Sequence, residues 1–307
     1  MIVMKDINKS FSEKKVLDNI SIHIAKGEKV GVIGLNGAGK TTLLKVMSGV
    51  LKPESGFLRI DKEEKIFGNY KILKKLAYVS SEKSQLWDEL TIKSSYDNCI
   101  KMYGKDKEKA KEELKKLNEI FEIEEFLNQN PRDLSLGQRM RCELVYALLS
   151  EPQLLMLDEA MIGLDVSIKQ KIMDFFIKYR EEKNTTIIYT SHNLLEVERI
   201  CERIILIDDG SIIYDGSVEN IMKEYSPKYH LELKIVDNLP DFDDVPLEKF
   251  EVENNILRVT YDKQKIETAT LLKYIMNKTK IEDIRLFEPD LEGTIKKIYQ
   301  KKYQMEE

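Results

Sequence analysis

Three short stretches carry residue types suited to phosphate chemistry. "GLNGAGKTT", residues 34–42, follows the apolar run "KVGVI" and leads into the helical pattern "TTLLKVMSG". Gly34, Gly39, Lys40 and Thr41 stand at the spacing of a phosphate loop. Gly37 and Gly39 let the backbone bend around an anion. Amides from Gly34 through Asn36, Gly37, Ala38 and Gly39, with the helix start at Lys40, Thr41 and Thr42, are then placed to hold phosphates. Lys40 reaches the terminal phosphates, and the Thr41 hydroxyl suits Mg2+. In "LLMLDE", 154–159, a buried strand ends in two adjacent carboxylates. Beside a phosphate loop such a pair divides the work: the first, Asp158, suits Mg2+, and the second, Glu159, suits polarising an attacking water. The third stretch, "LSLGQRMRCEL" at 134–144, sets Ser135 and Gly137 at the start of an apolar helix. It reads either as a second phosphate-binding turn or as a helix capped by Ser135.

The elements that must position these residues are legible as apolar runs. "KVGVIG" at 29–34, "LLMLD" at 154–158, "TIIYTS" at 186–191 and "IILID" at 204–208 are apolar on successive residues, as in strands of a sheet covered on both faces. Helical periodicity separates them, notably in 167–182, where Ile168, Ile172, Phe175, Phe176 and Tyr179 form one stripe. Between about 89 and 147 the chain turns Lys/Glu-rich, with Leu114, Leu117, Ile120 and Phe121 at helical spacing. Amphipathic helices with a solvated, charged face are expected there, inserted between strands of the core. After "YSPKY", 225–229, three strand-like stretches and helical segments at 265–278 and 291–303 mark a separate small unit, with a hairpin turn at "ENN", 253–255.

Taken together, these motifs resemble the ATP-binding subunit of an ABC transporter across residues 1–225. "LSLGQR" is similar to the family's signature motif, with Leu136 in place of a glycine. "MIGLD", 161–165, resembles the D-loop with Asp165, and "TSH", 190–192, resembles the switch histidine, His192. Phe11 stands where the family places an aromatic that stacks on adenine. The resemblance implies an α/β fold: a P-loop NTPase (RecA-like) core, 1–225, with an inserted α-helical subdomain at about 89–147. A small C-terminal α/β domain, 226–307, follows. It also implies ATP and Mg2+ as ligands, with Lys40, Glu159 and His192 as the catalytic set. Two such chains, identical or siblings, are expected to pack head to tail. Ser135, Gly137 and Gln138 of one then meet the nucleotide held by the other, and the tail braces the pair.

Besides Leu136, the sequence departs from the family in two places. The Q-loop glutamine is replaced: in "AYVSSEKSQLWDEL", 77–90, one alignment puts Ser81 at that position and another puts Glu82 there. Glu82 is favoured as the residue near Mg2+, because it retains a carboxyl oxygen. Ala160 and Met161 replace the usual Pro and Thr before the D-loop. "LSLGQRMR" and "SQLWDEL" are similar to an ABC-2-type exporter group, which implies a separately encoded transmembrane permease. Trp87, Leu86 and Tyr96 are candidates to line the cleft facing that permease. A soluble non-transport ATPase and a nucleotide-sensing regulator are the alternatives.

Composition sets the outer limits. The chain has 307 residues, 34% charged, with a net charge of −5, so gripping a polyanion such as nucleic acid is not expected. No apolar run approaches the roughly 18 residues that cross a bilayer, and the family resemblance implies a cytoplasmic chain, peripheral on the inner face of the cell membrane. Cys99, Cys142 and Cys201 lie far apart and read as core filling in a reduced compartment. His23 and His230 have no setting that suggests a role.

Overall fold

The chain begins with a hairpin, β1 (Ile2–Phe11) and β2 (Lys14–Ile24), that the apolar runs do not announce. Its inward residues Ile2, Met4, Ile7, Leu17, Ile20, Ile22 and Ile24 are all buried. Register shifts between Met4 and Ile7 and again before Lys9 break the alternation, and Asp6 and Asn19 turn with φ of 50° and 51°. Next come β3 (Lys29–Ile33), α1 (Lys40–Met47) and β4 (Ser55–Ile60). β4 joins the hairpin to complete an antiparallel sheet of order β2-β1-β4. In the computed structural model, residues 1–304 are described apart from 65, 226–227, 237–240 and 243–244.

A second sheet carries the chemistry. After the short α2 (Tyr70–Leu73) and β5 (Leu76–Ser80), an insertion of helices precedes β6 (Leu154–Asp158). The inserted helices are α3 (Ile92–Met102), α4 (Lys107–Phe121) and α5 (Leu136–Leu149). Beyond β6 come α6 (Val166–Lys183), β7 (Thr186–Thr190), α7 (Leu194–Ile200), β8 (Arg203–Asp208) and β9 (Ser211–Ser217). The sheet order is β5-β6-β7-β3-β8-β9, and β5 through β8 pair in parallel. Every residue of β3, β6 and β7 is buried, as expected for strands covered on both faces. α1 is packed into one apolar cluster, in which Leu43, Val46 and Met47 join Ile2 and Met4 of the first sheet and Met156, Ile188 and Ile205 of the second.

The insertion is helical, as its periodicity predicts. Leu117 and Phe121 of α4 are buried while its Lys and Glu residues face water. In α6, Ile168, Ile172, Phe176 and Tyr179 of the predicted stripe are buried, and the Phe175 ring meets Phe121 edge-on at 5.4 Å. All three cysteines are free and buried. Burial pushes the Cys99 and Cys142 thiols up to about 12 and Cys201 higher still, so none offers a thiolate near neutral pH.

The chain divides into two compact units, Met1–Gly216 and Ser217–Glu307. The division falls before the expected boundary after Tyr225, and residues 226–227 beside that boundary lie outside the described residues. The second unit comprises α8 (Val218–Tyr225), β10 (Lys228–Ile235), β11 (Leu247–Glu253), β12 (Ile256–Asp262), α9 (Thr268–Met276), β13 (Ile281–Phe287) and α10 (Leu291–Gln304). Its antiparallel sheet has the order β11-β12-β10-β13, with Leu231, Leu233, Leu257 and Val259 packed on Leu271 and Ile275 of α9. The predicted turn lies between β11 and β12. Asn254 and Asn255 take φ of 51° and 63°, the doubly left-handed geometry of a two-residue hairpin loop.

Candidate active site

Because β3, β6 and β7 run parallel, their carboxyl ends open on one edge of the sheet, where α/β proteins bind ligands. The loop leaving β3 spans 34–39 and ends at Gly39, which precedes α1 with φ of 107°. A side chain at Gly39 would meet the Val16 carbonyl oxygen at 2.6 Å, so the position admits only glycine. No side chain caps α1, which leaves its first amides free for an anion. Lys40 is buried, and its Nζ donates to the carbonyls of Gly34 and Leu35 at 2.8 and 3.1 Å. Burial lowers the proton affinity of this amine, while Glu159 and Asp158 oppose the shift. Lys40, the loop and both acids therefore share one edge. Thr41 and Thr42 are half-buried on the first turn of α1, and Asn36 and Gly37 are exposed at the loop tip.

Asp158 closes β6, buried, with each carboxylate oxygen already engaged. Thr190 Oγ1 donates to Oδ1 at 2.7 Å, and the Tyr78 hydroxyl donates to Oδ2 at 2.9 Å. Glu159 then turns with φ of 54°, a conformation uncommon outside glycine, and its amide is fixed by the carbonyl and hydroxyl of Thr190. That kink separates two neighbouring carboxylates: Asp158 stays inside while Glu159 reaches out to His192, whose Nε2 lies 2.6 Å from Glu159 Oε1. A carboxylate oriented by an imidazole beside an anion-binding loop is suited to general-base work on water. As donors for a cation, the edge offers the Thr41 hydroxyl and the Asp158 carboxylate. Among the described residues no group of three or more His, Cys, Asp or Glu could hold a metal by itself. Such a set suits a hard ion that also takes phosphate oxygens and water.

A buried cluster that no sequence motif marks lies at the strand end just before His192. Glu196 accepts from the Tyr189 hydroxyl at 2.5 Å, the Ser191 hydroxyl at 2.7 Å and Lys169 Nζ at 2.9 Å. Burial pushes the Glu196 carboxyl up, but these hydrogen bonds outweigh it and hold the group below its ordinary value. Tyr189 and Ser191 flank the strand end before His192, and Lys169 stands on α6 just after the D-loop, so the cluster ties those segments together. Only the burial pattern hinted at it: a Glu at the start of a short helix is unremarkable in the sequence.

The Q-loop stretch sets both alternatives, Ser81 and Glu82, directly after β5. Glu82 is exposed and pairs with Lys45 of α1 at 2.8 Å, whereas Asp158 is held by Tyr78 and Thr190. The Ser81 amide donates to the Asp158 main-chain carbonyl at 3.3 Å. Of the three cleft candidates, Leu86 and Tyr96 are core residues, the latter donating to the Cys142 carbonyl at 3.1 Å, and only Trp87 is exposed. The Tyr96 bond to α5 was not visible from spacing alone.

Ser135 caps α5 in a full capping box: its Oγ accepts from the Gln138 amide at 3.3 Å, and Gln138 Oε1 accepts from the Ser135 amide at 2.9 Å. The capped-helix reading therefore holds for the single chain, and Ser135 remains exposed. Gly137 is buried against the D-loop, where an added Cβ would lie 2.3 Å from the Gly163 carbonyl oxygen. Asp165 caps α6 by accepting from the Ile168 amide at 2.9 Å. Ala160 and Met161 are buried and anchor that loop. At the far end of β1, Phe11 is half exposed with Lys9 Nζ 5.4 Å from its ring centre.

Comparison with known proteins bears on this geometry. A family model described as ABC transporter matches residues 17–162. The ABC transporter ATP-binding protein NatA of Bacillus subtilis (strain 168) is 28% identical over 225 residues, covering 72% of this chain and 91% of that protein. The methionine import ATP-binding protein MetN of Clostridium tetani (strain Massachusetts / E88) is 34% identical over 225 residues, covering 72% of this chain and 70% of its own. A dimeric ATP-binding cassette, MJ0796, solved in a post-hydrolysis state with ADP and Pi, superposes with a TM-score of 0.63 at 25% identity. It covers 71% of this chain and 99% of that one.

Proposed function

This chain belongs to the ATP-binding proteins of ABC transporters, and from that premise we propose that it drives a separately encoded transmembrane permease through ATP-dependent, head-to-tail pairing. ATP is bound and hydrolysed by the family. In our reading Glu159 is the general base, His192 orients it, and Lys40 with the 34–42 loop holds the β- and γ-phosphates. Thr41 and Asp158 would hold Mg2+, which would neutralise phosphate charge. Glu82, paired with Lys45, stands at the rim and links the site to the permease-facing loop that carries exposed Trp87.

The observation that carries the reading is the pairing of Glu159 and His192 at 2.6 Å on the edge that also presents Lys40 and Asp158. The signature turn supports a partner. Ser135 is exposed at a helix start, and "GLNGAGKTT" is the one phosphate loop in the chain, so a second nucleotide for Ser135, Gly137 and Gln138 must come from another molecule. Among the described residues no helix is long and apolar enough to cross a membrane, so the pore is assigned to another polypeptide and this chain to the membrane's inner face. Outward transport of the ABC-2 type rests on the likeness of "LSLGQRMR" and "SQLWDEL" to that exporter group. The MetN relative, named for import, defines the opposite direction, which a vesicle transport assay with the permease distinguishes.

Solution mass tests pairing. Glu159→Gln at saturating MgATP is expected to run at twice the mass of the single chain and to return to single chains on nucleotide removal. A variant that stays single, with and without the permease, overturns the reading. Adenine stacking has its own check: Phe11→Ala should weaken ATP binding by about tenfold, within the range for loss of one aromatic–base stack. An unchanged titration would remove Phe11 from the site.

A further inference from the structure

Among the described residues the sheet of the second unit ends in two edge strands, β11 and β13. β11 is blunted: its register slips between Leu247 and Lys249, and the Phe242 ring lies 5.0 Å from that of Phe250. β13 keeps an unbroken register with β10 from Asp283 to Phe287. Ile284 and Leu286 lie opposite Leu233 and Leu231, so they share the face on which α9 packs. Leu231 and Leu233 are buried there, whereas Ile284 and Leu286 are 42% and 41% exposed. An apolar strip thus runs out from the core to an uncovered edge, where proteins otherwise place a charge, a bulge or a covering segment. The Ile284 amide donates to the Asp283 carboxylate at 2.9 Å and so points away from β10. That direction alternates along an antiparallel ladder, which leaves the main chain of Ile284 and Leu286 facing outward.

We infer that β13 is a contact surface for a second copy of this chain, pairing antiparallel with the partner's β13 about a two-fold axis at Ile284. Charge selects that register. With Ile284 opposite the partner's Ile284, Asp283 stands opposite the partner's Arg285, and Arg285 stands opposite the partner's Asp283. These are the non-hydrogen-bonded positions, where facing side chains approach most closely. Moving the axis to Asp283 or to Arg285 would set like charges face to face. Within one chain the Asp283 and Arg285 side chains are exposed and 3.7 Å apart, so both can be shared with a neighbour. The two apolar strips then join into one across the axis. A two-fold pairing also closes on itself, whereas β13 on a partner's β11 would leave further edges open. One pair of strands buries less than the roughly 1,200 Å² of a stable interface, so the contact is weak and dilute chains stay single. It needs no nucleotide and does not rest on the reading of the ATP site; it gives a physical form to the expectation that the tail braces a pair.

Disulfide trapping reads a weak contact directly. The full chain with Ile284→Cys is oxidised without nucleotide over a series of concentrations, and covalent dimer is measured on a denaturing gel. The three native cysteines are buried, so the added thiol is the reactive one. Dimer is expected to accumulate faster as the chain is concentrated. Val252→Cys, equally exposed but on β11, is the control and is expected to link at least about fivefold more slowly. In the Ile284→Cys background, Asp283→Arg sets like charges opposite and is expected to lower linking about fivefold, since the axis repeats the repulsion. Adding Arg285→Asp restores opposite charges and is expected to bring linking back to within about twofold. All these positions are exposed, and the restored pair shows that loss of linking in the single variant is not loss of fold. Linking at Val252→Cys as fast as at Ile284→Cys, indifference to Asp283→Arg, or no recovery with the charges exchanged overturns the β13 contact. Because no nucleotide is present, those outcomes leave ATP-driven pairing untouched, and a Glu159→Gln chain that stays single in MgATP leaves the β13 contact untouched.

Discussion

Replacing Glu159 with Gln is expected to lower ATP turnover by about 10³-fold and to leave nucleotide affinity within about twofold, the range for loss of a general base. Gln has nearly the shape of Glu, and the backbone that places it is fixed independently by Thr190, so geometry survives the change. What is lost is basicity toward water at the atom that His192 orients from 2.6 Å. A factor of 10³ corresponds to about 4 kcal/mol of barrier. Steady-state phosphate release and a fluorescent-nucleotide titration measure the two quantities separately. Turnover that falls by less than tenfold would show that another group takes the proton. Loss of affinity as large as loss of rate would mean that the carboxylate holds ground-state nucleotide instead.

Gly137→Ala is the second large effect, and it acts through packing. The new methyl would sit 2.3 Å from the Gly163 carbonyl oxygen and 3.0 Å from its carbon, a clash with backbone that no side-chain rotation relieves. Gly163 cannot yield easily, since its φ of 75° is already in the left-handed region and the Leu136 side chain lies against it. The start of α5 and the D-loop must therefore separate, at a cost of about 1–3 kcal/mol. These segments are the face proposed to meet a partner's nucleotide. ATP-driven pairing of the Glu159→Gln chain should fall by at least about tenfold, following from a 1.4 kcal/mol shift in that equilibrium. Nucleotide binding to single chains, governed by the 34–42 loop, should hold. Sedimentation across a concentration series reads the first, and a titration reads the second. Pairing that is unaltered would mean the two segments are not part of the interface.

The parts of the site that came from one stretch of chain were legible in the sequence. The loop at 34–42 and the acids at 158–159 each follow a continuous apolar run, and such a run is a strong signal for a strand covered on both faces. The Asn254–Asn255 turn was readable for the same reason, since its left-handed geometry is a local requirement. The antiparallel sheet at the N-terminus was not, because its bulges at Met4–Ile7 and Lys9 interrupt the period of two on which strand recognition depends. Contacts made across the fold were equally hidden. Tyr78 meets Asp158, and Glu143 meets Gln85, only once β5, β6 and α5 are assembled. The Q-loop shows the same limit: alignment left Ser81 and Glu82 open, Glu82 was favoured for its carboxyl oxygen, and its ion pair with Lys45 of α1 was not visible in the sequence.

The bare start of α1 has a consequence for how the protein withstands heat. A helix that begins at Gly39 without a side-chain cap is a piece of architecture left incomplete, and in the proposed reading triphosphate supplies the missing partners. Any ligand that completes the folded form and ignores the unfolded one stabilises the fold by mass action, by about 2.7 kcal/mol at a hundred times its dissociation constant, and so raises the melting point. On that reading the energy charge of the surrounding solution becomes a component of this unit's durability: starved of nucleotide, the same polypeptide is expected to melt lower and to be cut faster by protease.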